Sequence, residues 1–172
     1  MSRLDYTRDD SFNNCNFFEI DLADMLFIDC EFIDCNLSMA CVDRTAFRNV
    51  KFNNSKLLGV NFEQCNNFAF EVSFTNCGLN NVSFYGLKLK KTIFTDCALV
   101  ETDFGGSDLS NAKFIRCNLM GAIFDGTNLE KADFSLSYNY VINPEHNNIA
   151  KAIFSSSGLS GLLMQYNIKI VD

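Results

Sequence analysis

The stretch Cys97–Phe124 reads CALVETDFGGSDLSNAKFIRCNLMGAIF, and in it an apolar residue returns at every fifth position: Leu99, Phe104, Leu109, Phe114, Leu119 and Phe124. Outward from there the same register runs back through Phe94, Leu89, Phe84 and Leu79 to Phe74, and forward through Leu129 to Phe134. An earlier register runs without a gap from Phe12 through Phe17, Leu22, Phe27, Phe32, Leu37, Val42, Phe47, Phe52 and Leu57 to Phe62. The two are separated by a slip, Asn66 to Val72, that adds two residues, and a short third register holds Phe154, Leu159 and Met164. These positions take 15 of the 18 Phe, so the aromatic richness follows from the period and does not mark a binding surface.

A period of five fits neither the helix at 3.6 nor the strand at 2. It fits a three-residue extended piece, with first and third side chains inward, followed by a two-residue corner. The residue two before each central one supports this, being mostly small: Cys30, Cys35, Ala40, Val60, Cys77, Val82, Cys97, Ala112, Cys117, Ala122 and Ala132. Four such pieces close a square turn of twenty residues, and stacked turns pair backbone to backbone at roughly 4.8 Å. Residues twenty apart then share a face, as the like-with-like series Phe74, Phe94, Phe114, Phe134 and Leu79, Leu99, Leu119 suggest. The expected fold is all-β, a quadrilateral parallel β-helix over residues 1–134 with its slip at about 66–72. An inserted loop is expected over 135–151, and a last coil with a short helical or strand cap over 152–172.

The rest of the composition narrows the class. Of 172 residues, 48% are hydrophobic and 20% charged, with one Pro, which is a folding composition and not that of a disordered chain. A net charge of -7 disfavours direct binding of nucleic acid or an anionic membrane. No run approaches the 18 or so apolar residues of a membrane span, and MSRLDYTRDDSFNN lacks the apolar core of a signal peptide. The expected location is the cytoplasm, where eight cysteines imply core filling more than a disulfide framework. Seven of them (Cys15, Cys30, Cys35, Cys65, Cys77, Cys97 and Cys117) fall on the small inward position, and only Cys41 does not. His146 is the sole histidine, and no phosphate-binding loop, dinucleotide glycine pattern or nucleophile elbow is present. No catalytic residue, metal or cofactor is expected.

Repeats such as CNLMGAIFDGTNLEKADF (Cys117 to Phe134) resemble the pentapeptide-repeat family, with its A(D/N)LXX pattern and Leu or Phe at the centre. That resemblance implies a right-handed quadrilateral β-helix. Further stretches resemble the gyrase-protecting branch, whose members confer resistance to albicidin, microcin B17 and quinolones: FIDCNLS (Phe32 to Ser38), LLGVNF (Leu57 to Phe62), FYGLKL (Phe84 to Leu89), YVINPEHNNIAKAIFS (Tyr140 to Ser155) and GLLMQYNIKI (Gly161 to Ile170). In that branch the C-terminal segment forms a cap and a symmetric dimer, and the rod imitates duplex DNA at the saddle of type II topoisomerases. Because the slip adds only two residues, where quinolone-protecting members carry long loops, the albicidin-like and microcin-like members are the closer comparison.

The resemblance implies DNA gyrase or topoisomerase IV as partner, and the apolar carboxyl end (Leu159, Leu162, Leu163, Met164, Ile168, Ile170 and Val171) as the homodimer contact. The alternative is a scaffold for another protein. Charge is uneven: Met1 to Asp43 carries ten acids and two bases, Arg44 to Val60 four bases and no acid. Asp29, Glu31 and Asp34, with Asp96, Glu101, Asp103 and Asp108, are the acids expected to meet the partner. Magnitude limits the mimicry, since a rod of about 30 Å would need on the order of 18 negative charges to match duplex DNA.

Overall fold

The computed structural model describes residues 6–169 and 171. Its strands are short: β1 (Tyr6–Arg8), β2 (Ser11–Asn13), β3 (Leu26–Ile28), β4 (Glu31–Ile33), β5 (Ala46–Arg48), β6 (Val50–Asn53), β7 (Val72–Thr75), β8 (Ile93–Thr95) and β9 (Lys113–Ile115). Every pairing is parallel, β1-β3-β5 in one sheet and β2-β4-β6-β7-β8-β9 in another. Between them run single-residue bridges, mostly twenty apart, such as Asn16↔Asn36, Asp21↔Cys41 and Ser83↔Asp103. The result is a parallel β-solenoid with four faces, and the central residue names each face. Face I carries Phe12 through Phe154, face II Phe17 through Leu119, face III Leu22 through Phe124, and face IV Phe27 through Ile149.

The core is a set of ladders along the axis. On face I the rings of Phe12, Phe32, Phe52, Phe74, Phe94, Phe114, Phe134 and Phe154 stack in one column, with neighbouring centroids 4.6–5.4 Å apart. Offset stacking of this kind is favourable beyond the area it buries. The corners explain how so tight a path closes. The second residue after each central one adopts a left-handed conformation at nearly every turn, from Asp9 (φ 56) to Lys151 (φ 59), and five of these positions are Gly59, Gly86, Gly106, Gly121 and Gly126. Asp and Asn fill many others, the non-glycine residues that tolerate this region best.

At the slip, the ladder holds up to Ala46↔Asn66 and resumes at Val50↔Val72, so the offset grows from 20 to 22. Asn67 stands where a central apolar residue belongs, and Phe70 turns inward in its place, 6.2 Å from Phe47 and 6.0 Å from Phe62. Phe68 is pushed out, 70% exposed, beneath the Arg48 guanidinium at 5.4 Å. The segment expected as an inserted loop still pairs with the rod, through Asn118↔Tyr138 and Asn128↔Asn148. Beyond Ile153, two 3-10 helices, Ser156–Leu162 and Met164–Tyr166, lie over the carboxyl end. Gly158 and Gly161 pack directly on Tyr140, where a Cβ would overlap its hydroxyl and its carbonyl respectively. No helix among the described residues is long and apolar enough to cross a membrane.

Candidate partner-binding surface

Outward positions repeat every twenty residues like inward ones, so each face collects a fixed subset of the charged residues. Face III collects Asp21, Asp24, Asp43, Glu63, Asp103, Asp125 and Glu145, aligned by Asp21↔Cys41, Asn61↔Ser83, Ser83↔Asp103 and Asp103↔Ile123 and by corner bonds such as Asp24 N–H to Asp43 O (2.9 Å) and Gly106 N–H to Asp125 O (2.8 Å). Arg44 is the cation on this face, and it is bound to Asp24 through two hydrogen bonds of 2.7 and 2.6 Å. That guanidinium holds the Asp24 carboxyl below its ordinary range. Among the described residues, no Lys or Arg lies within ion-pair distance of the other six; Asp125 has only His146, at 3.5 Å.

Those six acids fall one to a turn in every turn but the fourth, where Tyr85 stands at the corresponding place. Asp103 is fixed by accepting the Gly105 N–H at 2.7 Å, and Glu145 by accepting the Tyr166 hydroxyl at 2.7 Å, which raises the tyrosine's own pKa. At ~4.8 Å per turn, this spacing approaches that of one DNA strand, one phosphate per ~3.4 Å of axis. The neighbouring face IV has the opposite sign at its middle, with Lys88, Lys90 and Lys91 in a single repeat.

The acids singled out from sequence are scattered by the same geometry. Asp29 sits at a face IV corner and accepts from the Asn49 side chain at 2.7 Å, while Glu31, Asp34 and Asp96 lie on face I. Glu101 lies on face II, Asp103 alone on face III, and Asp108 on face IV. Two of the seven are neutralised within the rod: Asp96 in a bidentate pair with Arg116 (2.6 and 2.6 Å), Asp108 with Lys90 (3.2 Å). Asp21, Asp43, Glu63, Asp125 and Glu145 lie twenty or more residues apart, so no local cluster in the sequence marks them. Their common signal is the twenty-residue period, corrected by two after the slip.

Five of the eight cysteines form a column with two serines. Cys15, Cys35, Ser55, Cys77, Cys97, Cys117 and Ser137 occupy the first inward position of face II, and from Cys35 on each donates to a face I carbonyl of the preceding turn: Cys35 to Phe12 O (3.2 Å), Ser55 to Phe32 O (3.3 Å), Cys97 to Phe74 O (3.6 Å), Ser137 to Phe114 O (2.7 Å). All eight thiols are free. The adjoining Cys117 and Cys77 thiols, with burial, push Cys97 up, and burial pushes Cys35 and Cys65 up, so these sulfurs are neutral donors and poor nucleophiles.

At the carboxyl end, Leu162 is buried in the core, covering the last coil, and Leu163 is half-buried. Leu159, Met164, Ile168 and Val171 are exposed, and Ile170 lies outside the described residues.

The fold and its period define a solenoid of five-residue repeats. Residues 67–138 match the family model described as pentapeptide repeat region. It is similar to a trypsin-treated variant of QnrB1, a plasmid-mediated fluoroquinolone resistance protein, at 21% identity over 98% of this chain and 92% of that one, with a TM-score of 0.52. Full-length QnrB1 is similar at 19% identity over 95% and 90%, with a TM-score of 0.50. At these identities the likeness is one of fold. A search of curated proteins gives no match.

Proposed function

We propose that the chain works without catalysis, as a rod whose face III stands in for duplex DNA at the saddle of a type II topoisomerase, DNA gyrase or topoisomerase IV, and so protects that enzyme from a toxin or drug acting on its DNA complex. The observation that carries this reading is the alignment of six unneutralised acids along a single face, one to a turn in every turn but the fourth. Because only one face is acidic, the shortfall of the whole rod against duplex DNA matters less: the comparison is with one strand. The fold shared with a fluoroquinolone resistance protein supports the reading, as does the C-terminal resemblance to the protecting branch. A second copy lengthens the rod through the exposed Leu159, Met164, Ile168 and Val171, and sedimentation of the full chain as a monomer would remove that part.

The test is charge reversal by face. Replacing Asp43, Asp103 and Asp125 by Lys is expected to slow association with gyrase by roughly 10-fold or more in low salt, with the effect shrinking as the Debye length falls. The same reversal at Asp29, Glu31 and Asp34 removes as much charge from other faces and is expected to do far less. Equal effects would reduce the interaction to net charge. No binding by the unaltered protein would leave the scaffold reading.

A further inference from the structure

The slip opens a groove of about 510 Å³ between the turn carrying Asn49 and the turn carrying Lys91, lined also by Glu71, Ser73, Lys88 and Lys90. Its chemistry is the reverse of the rod's. In a molecule of net charge -7, three lysines from one five-residue repeat meet here, and only Lys90 is engaged, with Asp108 at 3.2 Å. Among the described residues, no carboxylate lies within ion-pair distance of Lys88 or Lys91.

The backbone adds a second, independent sign. At the equivalent corner of this face, the amides of Asp29, Lys91, Asn111 and Lys131 each donate to a carbonyl of the next turn, at 2.8–3.0 Å. The two extra residues of the slip displace the carbonyl that Asn49 would meet, and among the described residues its N–H has no backbone acceptor. An amide without a backbone partner, on a residue that lines a groove rimmed by ammonium groups, is a ready donor for an anion. Glu71 is the one carboxylate on the lining, so a ligand must carry several negative charges to prevail.

We propose that this groove binds a phosphate-class polyanion of the size of tripolyphosphate, held by Lys88, Lys91 and the Asn49 amide. This site is independent of face III and of any topoisomerase. Titration calorimetry on the full chain at constant ionic strength, with phosphate, pyrophosphate, tripolyphosphate and a short duplex DNA, is the test. Saturable binding of one tripolyphosphate per chain is expected, tightening from phosphate upward, with a roughly tenfold loss in Lys88→Gln/Lys91→Gln. Lys113→Gln/Lys151→Gln, which removes the same charge elsewhere, is expected to bind unchanged. A chain lacking Phe68 and Ala69, which restores the twenty-residue offset and keeps every lysine, is expected to lose binding while still melting cooperatively. If that chain does not fold, the lysine pairs decide. Absence of saturable binding, equal losses in the two lysine pairs, or binding of the duplex without tripolyphosphate would each overturn the site.

Discussion

Before the slip, the solenoid keeps its aromatic columns on adjacent faces, Phe12, Phe32 and Phe52 on face I and Phe27 and Phe47 on face IV, with ring edges meeting at the shared corner (Phe27 to Phe32, 5.4 Å). After it, the columns oppose each other across the axis, Phe74 through Phe134 on face I and Phe84, Phe104 and Phe124 on face III, with Leu columns between. Strands follow the same division, lying on faces IV and I before the slip and on face I alone afterwards. Past the first turn, where Phe17 adds a ring on face II, both solutions place two rings and two aliphatic side chains in a turn, so the period sets the core volume but leaves the arrangement open. The handover turn is different. It holds Phe52, Phe62 and Phe70 together, and Phe62 touches Phe47 on one side and Phe84 on the other. Two additional residues give the chain the length to pass around this larger core.

The largest effect should therefore come from the handover. Phe62→Ala removes a fully buried ring that joins both arrangements, and a loss of ~3–5 kcal/mol is expected in denaturant unfolding. Phe12→Ala, at the partly exposed amino end, should cost clearly less. Equal losses would mean the slip is not where the two halves are joined.

A middle-sized effect concerns the column of Cys and Ser donors, which runs through both regions. Cys97→Leu should overpack its turn by ~1–3 kcal/mol. Cys97→Ser should stay close to the parent, because Ser55 and Ser137 already donate from the same column. Cys97→Ala should lie between the two, losing the bond to Phe74 O. Thermal melts rank the three, and a leucine variant as stable as the alanine one would refute the inward assignment.

The smallest effect is electrostatic and appears once in each region. Arg44 lowers the Asp24 carboxyl before the slip, and Arg116 lowers Asp96 after it, both from 3.8. A carboxyl whose pKa is depressed by folding stabilises the fold above its unfolded value, and that contribution disappears as pH falls through the folded value. Melting temperature should thus drop below about pH 3.8 slightly more in the parent than in Asp24→Asn or Asp96→Asn, with the curves converging at the acid end. Since both pairs are exposed, the difference is small and should shrink in salt. A parent curve parallel to both variants would show the pairs to be without effect.

The fold was legible because its signal is short-range and redundant: central residues such as Leu99, Phe104 and Leu109 declare the inward direction every five positions. The slip was legible as a break in that count, but its outcome was not. Nothing in NNFAFE says that Phe70 and not Phe68 turns inward, since both are apolar and the choice depends on the space left by Phe47 and Phe62. The acids expected to meet the partner suffered from the same difference of scale. Asp29, Glu31 and Asp34 are close in sequence, yet a corner lies between them, and they point from two faces.

By itself, then, the sequence determined the period, the identity of the inward residues and the place of the slip, because each rests on the alternation of apolar and polar side chains along a few residues. Only the tertiary structure decided which charges align, which are cancelled and where a cleft opens. Those outcomes depend on contacts between turns: Arg116 meets Asp96, Arg44 meets Asp24, and Asn49 loses its acceptor through the stacking of residues twenty or more positions apart. Hydrophobic burial selects inside from outside locally, whereas Coulomb and hydrogen-bond energies depend on separations across the stack that no local reading of the chain supplies.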